Sequence, residues 1–321
     1  FDWHILGAGS VGCLWAAHLA KYGKKIKACL VLRDETHKKF ENVSKVKIAV
    51  NELFQKVNQN TNSWSVNVPI QSTKQTEPIQ NLMITTKAYD ARKALDDVFP
   101  RLQQNSNVLI LCNGMGVYEE VRDELHKIDA KIFLGISTHG TYKTEGDRFS
   151  IVHAGKGFIE FGAAESIGND ISADIAKNLD LSSHLSVKYA STKNVMALLW
   201  KKLAFNASLN ALTAIFKVKN GEIASSASGQ RIMADICREV HEASKIVNID
   251  LNLTEQELIE YVKCVCANVS ENKSSTLQDV LNKKKTEIDY INGYISDILG
   301  KERPSCNSMI RELVHLIEEK Y

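Results

Sequence analysis

A short glycine-rich segment near the start of the chain limits the fold more than any other feature. GAGSVG, residues 7–12, follows the predicted buried strand Trp3–Leu6 and opens a stretch with helical spacing of apolar side chains. Such glycines allow a tight turn and a close approach to the backbone, and free N–H groups at the helix start attract a pyrophosphate. The segment predicts dinucleotide binding, with a purely structural tight turn as the alternative.

Segments that resemble strands and helices alternate after this motif. Apolar runs typical of strands occur at 26–32, 82–86, 107–111 and 131–137. Helical patterns separate them at 90–98 and 117–127. The alternation predicts βαβ units and an α/β fold with a doubly wound parallel sheet of the Rossmann type.

The segments that follow predict additions to this sheet. The runs 149–154 and 157–162 are expected to form an antiparallel hairpin, with a helix at 169–179 and a strand at 184–189 behind it. The polar segment 51–62 is expected to be a loop or an edge excursion.

The second part of the chain is almost purely helical in pattern. Helices are expected at 193–216, 228–247, 254–268, 274–299 and 305–320. A length of 321 residues favours two domains, since domains commonly contain about 150 residues. We therefore expect a dinucleotide-binding domain at 1–191 and an all-helical substrate domain at 192–321.

Composition narrows the function to small-molecule chemistry. The net charge is only +2, without a long basic run, so no nucleic-acid partner is expected. No apolar run reaches the roughly 18 residues that cross a bilayer, so no membrane partner is expected either. The seven cysteines contain no CxxC pair, which predicts reduced thiols in the cytoplasm and no metal site. Because the chain starts at Phe1, a removed mitochondrial targeting segment stays open.

The end of the second predicted strand bears on the choice of cofactor. It reads VLRDE, residues 31–35. If Arg33 lies at the ribose position, it would bind the 2′-phosphate of NADPH; if the strand is one residue longer, Asp34 would bind the ribose hydroxyl of NADH. We favour NADPH.

Two polar residues directly follow predicted strands of the sheet. Lys87 follows the strand at 82–86, and Asn113 follows the strand at 107–111, with Gly114 and Gly116 after it. Ligands of doubly wound sheets bind outside the carboxyl ends of the strands, so both are candidates for the site. The structural alternatives are a helix cap for Asn113 and a solvated strand end for Lys87.

A line of polar side chains marks the first helix of the predicted helical domain. Lys202, Asn206 and Asn210 occur at steps of four in an otherwise apolar segment, 198–216. Residues four apart lie on one face of a helix. The pattern predicts either a polar line in a binding site or a core helix whose asparagines bond to neighbouring backbone.

Helical phase separates two acids in KKKTEIDYINGYI, residues 283–295. In one continuous helix, Glu287 would lie roughly 60° from the centre of the isoleucine stripe and Asp289 roughly 140° from it. Glu287 is thus expected to flank the buried face, and Asp289 to point to water without a further role.

Together these segments resemble the ketopantoate reductase family. GAGSVG, TTKAYD, CNGMG, LWKKLAFNASLNALTAI and SSTLQDVLNKKKTEIDYINGYI occur in the family's order and spacing from Gly7 to about Gly293. The resemblance implies a Rossmann domain followed by a helical domain like that of 6-phosphogluconate dehydrogenase. It also implies NADPH-dependent reduction of ketopantoate to pantoate, a step towards pantothenate and coenzyme A.

The resemblance also implies a role for each matched residue. Lys202 matches the catalytic lysine that protonates the ketone oxygen, and Glu287 the glutamate that binds the substrate's hydroxyl end and supports the lysine. Ser275 matches the serine that holds the substrate carboxylate. The other substrate residues implied are Asn113, Asn206 and Asn210. The cofactor residues implied are Gly7, Ala8, Gly9, Ser10, Val11, Gly12, Arg33, Lys87, Asn113 and Glu287.

The chain departs from the family pattern at a few positions. Asp90 stands where a glutamine near the adenosine phosphate occurs, and a carboxylate there would repel a 2′-phosphate. Cys112 and Ala211 are two further departures that do not touch the expected chemistry.

Two other functions remain open on the sequence. The chain could reduce another branched 2-keto acid, or it could be a catalytically silent NADP(H)-binding sensor or scaffold. Retention of Lys202, Asn113 and Glu287 argues against a silent protein. No heptad pattern indicates pairing, so the sequence neither predicts nor excludes a homodimer through an exposed face of the helical domain.

Overall fold

The structure, a computed structural model, describes residues 2–23, 26–40, 43–57, 60–144, 146–165, 175, 179, 182–300 and 303–321. Its first βαβ unit has the predicted order. β1 (Trp3–Leu6) is buried along its whole length, and α1 (Ser10–Tyr22) begins directly after the glycine turn. β2 (Ala28–Leu32) then pairs with β1 in parallel. Strands buried on both faces need nearly continuous apolar runs: β2 is wholly apolar, and β1 is apolar except for the buried His4.

One sheet of eleven strands contains all described strands. The later strands are β3 (Lys45–Val57), β4 (Asn60–Ser72), β5 (Ile79–Ile84), β6 (Leu102–Ile110), β7 (Lys131–Ser137), β8 (Gly140–Lys143), β9 (Ser150–Gly155), β10 (Ile159–Ala163) and β11 (Val187–Tyr189). Their order across the sheet is β11-β10-β7-β6-β5-β1-β2-β4-β3-β9-β8. Every pair from β7 to β4 is parallel, which confirms the predicted doubly wound sheet.

Short helices connect the strands of this sheet. They are α2 (Asp34–His37), α3 (Ala88–Val98), α4 (Val117–His126) and α5 (Ser182–Leu185). In α3 the side chains of Ala91, Leu95 and Val98 are buried at helical spacing, and in α4 those of Val121 and Leu125. Both patterns were predicted from the sequence.

Two predictions for the added strands are wrong. Segment 51–62 is not a loop: it contains the end of β3 and the start of β4, which pair antiparallel. The two later runs do not pair with each other, because β9 pairs with β3 and β8, and β10 with β7 and β11. β9 and β10 lie next to the outermost strands at opposite ends of the sheet, and each has a pairing partner that is far away in the sequence. The helix expected at 169–179 lies outside the described residues, apart from two isolated positions.

The rest of the described chain is helical. Its helices are α6 (Thr192–Phe216), α7 (Asn220–Ser225), α8 (Ala227–Ile246), α9 (Glu255–Asn268), α10 (Ser275–Leu281), α11 (Asn292–Leu299) and α12 (Cys306–Glu318). The single helix expected at 274–299 is wrong, because α10 ends at Leu281 and only a short 3-10 helix, Ile288–Tyr290, precedes α11. Lys283 has a positive φ of 51°, which interrupts helical geometry at that position.

Contacts between Cα atoms divide the chain into two compact units. The sheet unit comprises residues 1–112 and 117–195, and the helical unit comprises residues 113–116 and 196–321. The division at 195/196 falls inside α6, and the loop Asn113–Gly116 groups with the helices. No helix in the described parts of the chain combines the length and hydropathy that a membrane span requires.

Candidate functional site

The glycine turn after β1 has the shape of an anion cradle. Gly7 has a φ of +109°, and a Cβ at Gly12 would lie 2.0 Å from the Gly7 carbonyl oxygen, so local geometry alone requires both glycines. A Cβ at Gly9 would meet only an ordinary contact, at 3.6 Å from the Thr85 carbonyl oxygen. Nothing around Gly9 demands glycine. Its missing side chain leaves space for a ligand to approach the backbone.

The start of α1 fits a phosphate group in its charge as well. The helix has Gly9 as its N-cap, no side chain caps its first N–H groups, and no acidic residue lies in its first turn. Such an N-terminus favours an anion. The Lys143 ammonium of β8 donates a hydrogen bond to the Ala8 carbonyl of the turn. Sequence reasoning missed Lys143, because a lysine on an edge strand far along the chain carries no local signal.

The end of β2 presents Arg33 as the first residue after the strand. The Arg33 side chain is 57% exposed, and its guanidinium lies 2.5 Å from the Asp90 carboxylate of α3. Asp34 has local partners instead: its carboxylate accepts a hydrogen bond from Ser72 Oγ at 2.9 Å and pairs with Lys38 Nζ at 2.8 Å. Lys87 is the half-buried N-cap residue of α3.

Asn113 lies in the loop that groups with the helical unit. Gly114 has a φ of +78°, and a Cβ there would come within 2.4 Å of the Tyr290 carbonyl oxygen. The Met115 N–H donates to that same oxygen at 2.8 Å. Close backbone contact with the short 3-10 helix thus requires Gly114, and it fixes the loop that carries Asn113.

Lys202 of α6 contacts the Asn113 side chain. Its half-buried ammonium donates a hydrogen bond to Asn113 Oδ1 at 2.8 Å. Burial lowers the pKa of Lys202 to about 8, and the Glu287 carboxylate opposes that shift. Glu287 itself is only 3% exposed. The structure therefore brings Lys202, Asn113 and Glu287 together within one unit.

Asn206 and Asn210 continue the polar face of α6. Both are buried, and Asn210 Nδ2 donates to Ser275 Oγ at 3.4 Å. The neighbouring Ser274 has a different role: it caps α10 by accepting from the Leu277 N–H at 3.0 Å. Ser275 is exposed at the start of the same helix. The second serine of the pair is thus available to a ligand.

The prediction for Asp289 is wrong, and the phase argument for Glu287 rested on a helix that is not there. Glu287 is the N-cap of the 3-10 helix, outside regular α-helix. Asp289 does not merely face water: its Oδ1 lies 2.7 Å from Arg311 Nε and 3.0 Å from His315 Nε2, both on α12. Burial raises the pKa of Asp289, but Arg311 and His315 outweigh burial and lower it overall.

Comparisons with known proteins give a consistent result. The sequence matches the family model "Ketopantoate reductase PanE/ApbA" over residues 3–166 and "Ketopantoate reductase PanE/ApbA C terminal" over residues 194–319. A probable 2-dehydropantoate 2-reductase of Schizosaccharomyces pombe is 31% identical, over 91% of this chain and 89% of its own.

Solved structures share the fold over nearly the whole chain. D-mandelate dehydrogenase in complex with NADH and anilino(oxo)acetate is 20% identical with a TM-score of 0.84, covering 100% of this chain and 99% of that one. A dimeric ketopantoate reductase from Staphylococcus aureus is 13% identical with a TM-score of 0.75, covering 100% and 99%. Likeness at such low identity establishes the fold, whereas the family models and the 31% identical relative establish the family. The chain belongs to the ketopantoate reductase PanE/ApbA family and is an oxidoreductase that acts on a CH–OH group.

Proposed function

We propose that the chain reduces 2-dehydropantoate (ketopantoate) to pantoate with NADPH, with Lys202 as the general acid. One observation carries the proposal: Lys202 Nζ donates to Asn113 Oδ1 at 2.8 Å, and burial lowers the pKa of Lys202 to about 8. A general acid works best when its pKa lies near the working pH. An ordinary exposed lysine, with a pKa near 10.4, would release its proton less readily.

The chemistry requires a cation that can also give a proton. NADPH supplies a hydride to the ketone carbon when it is bound, which leaves negative charge on the ketone oxygen. Lys202 stabilises that charge and then transfers its proton to the oxygen, which yields the neutral alcohol and a neutral amine. Asn113 orients the ammonium through its carbonyl oxygen, and Glu287 keeps the lysine protonated near neutral pH.

Three further polar side chains of α6 and α10 would serve the substrate. Ser275 and Asn210, 3.4 Å apart, would donate to the keto-acid carboxylate. Asn206 lies one turn before Asn210 on the same face, where its amide would bind a further substrate oxygen. Glu287 would accept a hydrogen bond from the substrate hydroxyl, a group that simpler 2-keto acids lack. This last contact favours ketopantoate over other branched 2-keto acids.

The sheet unit would hold the cofactor. The turn at residues 7–12 and the start of α1 would bind the pyrophosphate. Lys143, which contacts the turn, and Lys87, the N-cap residue of α3, would add positive charge for the cofactor. Arg33, directly after β2, would bind the 2′-phosphate of NADPH. One observation favours NADH as the second candidate: Arg33 pairs with Asp90, which would compete with a 2′-phosphate for the guanidinium.

A dimer is the assembly that we propose. Met309, Leu313 and Leu316 of α12 are 58%, 40% and 53% exposed, and their spacing places them on one face of the helix. A contiguous apolar face of this kind is typical of a protein interface. The dimeric relative from Staphylococcus aureus supports a second copy of this chain as the partner.

The decisive experiment is steady-state oxidation of NADPH and of NADH by Lys202→Met and wild-type protein, with ketopantoate and two other branched 2-keto acids. We expect kcat for ketopantoate to fall by about a hundredfold to ten-thousandfold, because the acid is lost, while cofactor affinity stays unchanged. Lys201→Met is the matched control, since its side chain points away from the line of Lys202, Asn206 and Asn210.

Each outcome of that experiment has a separate meaning. Equal turnover of Lys202→Met and wild type would refute the acid. Faster reduction of another keto acid would make that acid the preferred substrate. A preference for NADH would indicate that Asp90 keeps Arg33 from binding a 2′-phosphate. Cofactor binding without turnover of any keto acid would indicate a sensor.

A further inference from the structure

A cluster of three buried side chains lies in the sheet unit, apart from every residue assigned above. It consists of His18 on α1, Glu52 on β3 and His153 on β9, which are 2%, 5% and 1% exposed. One potential metal-ligand atom from each residue lies within 4.8 Å of those of the other two. These three polar side chains are removed from water, so each of them needs a hydrogen-bond partner or a bound ion.

Strand register explains how these residues meet. β3 and β9 are parallel neighbours in which Glu52 is the direct cross-strand partner of His153. Val46, Ile48 and Val50 are buried at alternate positions of β3, so Glu52 continues the inward face with a carboxylate. α1 packs across β3, β4 and β9 and brings His18 to the same face.

The ring of His18 presents a lone pair. Its Nδ1 lies 2.9 Å from the Leu14 carbonyl oxygen, which can only accept, so Nδ1 carries the proton. The other nitrogen, Nε2, therefore holds a lone pair in the neutral ring.

The ring of His153 is fixed in the same way, through His139. His139 Nε2 lies 2.9 Å from the Leu185 carbonyl oxygen and must donate, while His139 Nδ1 accepts from the Gly157 N–H at 3.1 Å. His153 Nε2, 2.9 Å from that same Nδ1, is therefore a donor. The lone pair of His153 lies on Nδ1, a buried atom without a hydrogen-bond partner in the described residues.

Two donors orient the Glu52 carboxylate, and its oxygens can still accept further bonds. Asn62 Nδ2 donates to Oε2 at 2.7 Å, and Trp64 Nε1 donates to Oε1 at 3.1 Å. Each carboxylate oxygen can accept more than one bond. One ligand atom of each ring and of the carboxylate thus lie within 4.8 Å of one another, and both rings carry a lone pair. A bound cation would satisfy all three acceptors at once.

We propose that His18, Glu52 and His153 bind a divalent transition-metal ion, with Zn²⁺ as the best match to two imidazoles and one carboxylate. Zinc sites with this ligand set keep a fourth position for water. Metal-bound histidines usually donate their other N–H to a carbonyl or a similar acceptor, as His18 and His153 do here. Ligand atoms about 3.4 Å apart suit tetrahedral zinc, so movements of about an ångström would complete the site.

The cluster includes none of the residues proposed for hydride transfer, so a bound metal would act on stability rather than on that reaction. It would join α1, the helix that begins at the glycine turn, to the strands β3 and β9 beneath it. Trp64 and Phe54 pack edge-on against the His18 and His153 rings and limit access of water. Bound metal should therefore stabilise the sheet unit without taking part in hydride transfer.

The first test uses the full chain, stripped with a chelator and titrated with Zn²⁺ alone. We expect one zinc per chain by calorimetry and by metal analysis after dialysis, together with a higher melting temperature. Absence of stoichiometric zinc would overturn the proposal. It would indicate that protons, rather than a metal ion, link the three side chains. This measurement needs no variant and decides the question even if the variants fail to fold.

Variants then identify the ligands. Glu52→Gln keeps the size of the side chain and removes its charge, and should weaken zinc binding by more than about 100-fold. His139→Gln should weaken it by about 10- to 100-fold, since His139 only orients His153. His126→Asn, at a 46% exposed histidine, is the matched control and should bind as wild type does. Wild-type affinity in Glu52→Gln would overturn the assignment.

Cobalt separates this site from the seven cysteine side chains, none of which forms a disulfide. Co²⁺ held by nitrogen and oxygen gives weak visible bands without the intense near-ultraviolet band of cobalt thiolate. We expect the spectrum without thiolate, lost in Glu52→Gln. A thiolate band would assign the metal to cysteine and overturn the proposal.

Discussion

Two opposing influences act on the Lys202 side chain. Burial lowers the pKa of its ammonium, and the Glu287 carboxylate raises it, with a resulting pKa of about 8. Neither influence alone would produce an acid suited to neutral pH, since burial without the carboxylate would favour the neutral amine. Glu287 thus acts on the proton of Lys202 as well as on the substrate in the proposed reaction.

Glu287→Gln tests this coupling through the pH dependence of kcat/KM. The acid must be protonated, so kcat/KM for ketone reduction should be constant below the pKa of Lys202 and fall above it. The substitution removes the group that raises this pKa, so the alkaline fall should begin at a lower pH than in wild type. Profiles over about pH 6 to 10 measure the shift. Glu271→Gln, at an 85% exposed carboxylate, is the control, and an unmoved alkaline limb would refute the coupling.

The short 3-10 helix Ile288–Tyr290 links several parts of the candidate site. Its N-cap is Glu287, and the carbonyl of its last residue accepts from the loop that carries Asn113. Asp289, in its middle, pairs with Arg311 of α12. The element is too short to be stable by itself, so these tertiary contacts hold its conformation.

Arg311→Met should therefore affect both stability and turnover. Arg311 and Asp289 are 29% and 30% exposed, and removal of the cation leaves a half-buried carboxylate, at a cost of about 1 to 3 kcal/mol in the free energy of unfolding. Turnover should fall because Glu287 loses its fixed position. Arg303→Met is the control: its pair with Glu242 is about half exposed and should contribute less than about 1 kcal/mol. Urea denaturation measures both, and equal losses would contradict the structural role of Asp289.

At the scale of the whole molecule, an exposed apolar face needs an explanation. Met309, Leu313 and Leu316 belong to α12, whose opposite side carries Arg311 and His315 towards Asp289. The proposed dimer would cover this face and at the same time restrain the helix that anchors Asp289.

The double substitution Leu313→Glu/Leu316→Glu should convert the dimer into a monomer, because two carboxylates would be buried against their copies. Light scattering coupled to size-exclusion chromatography gives the mass directly. Ile246→Glu, at a 52% exposed position at the end of α8, is the matched control and should remain a dimer. A wild-type monomer, or a dimer that survives the double substitution, would exclude this face as the interface.

Local patterns predicted much of this protein. The bounds of β1 and β7 match the apolar runs, and the glycine turn precedes α1 as its spacing indicates. Lys202, Asn206 and Asn210 share a face because α6 is continuous. These features depend on neighbours within about one or two helical turns, and the order of residues reports them directly.

Other features depended on contacts between distant residues. Periodicity shows that a segment is buried on one side but does not identify its partner, so the separate pairings of β9 and β10 were missed. The break before Glu287 was missed because the apolar stripe continued through it, and the wrong phase argument still favoured the acid that is buried.

The sequence by itself determined the strand, turn and helix that begin the fold and the polar face of α6, since short-range periodicity and glycine sterics suffice for both. Only the tertiary structure decided that Lys202 contacts Asn113, that Asp289 is anchored by α12, and that His18, Glu52 and His153 converge. Strand register and helix packing bring those residues together across long stretches of chain, and no local pattern encodes such distances.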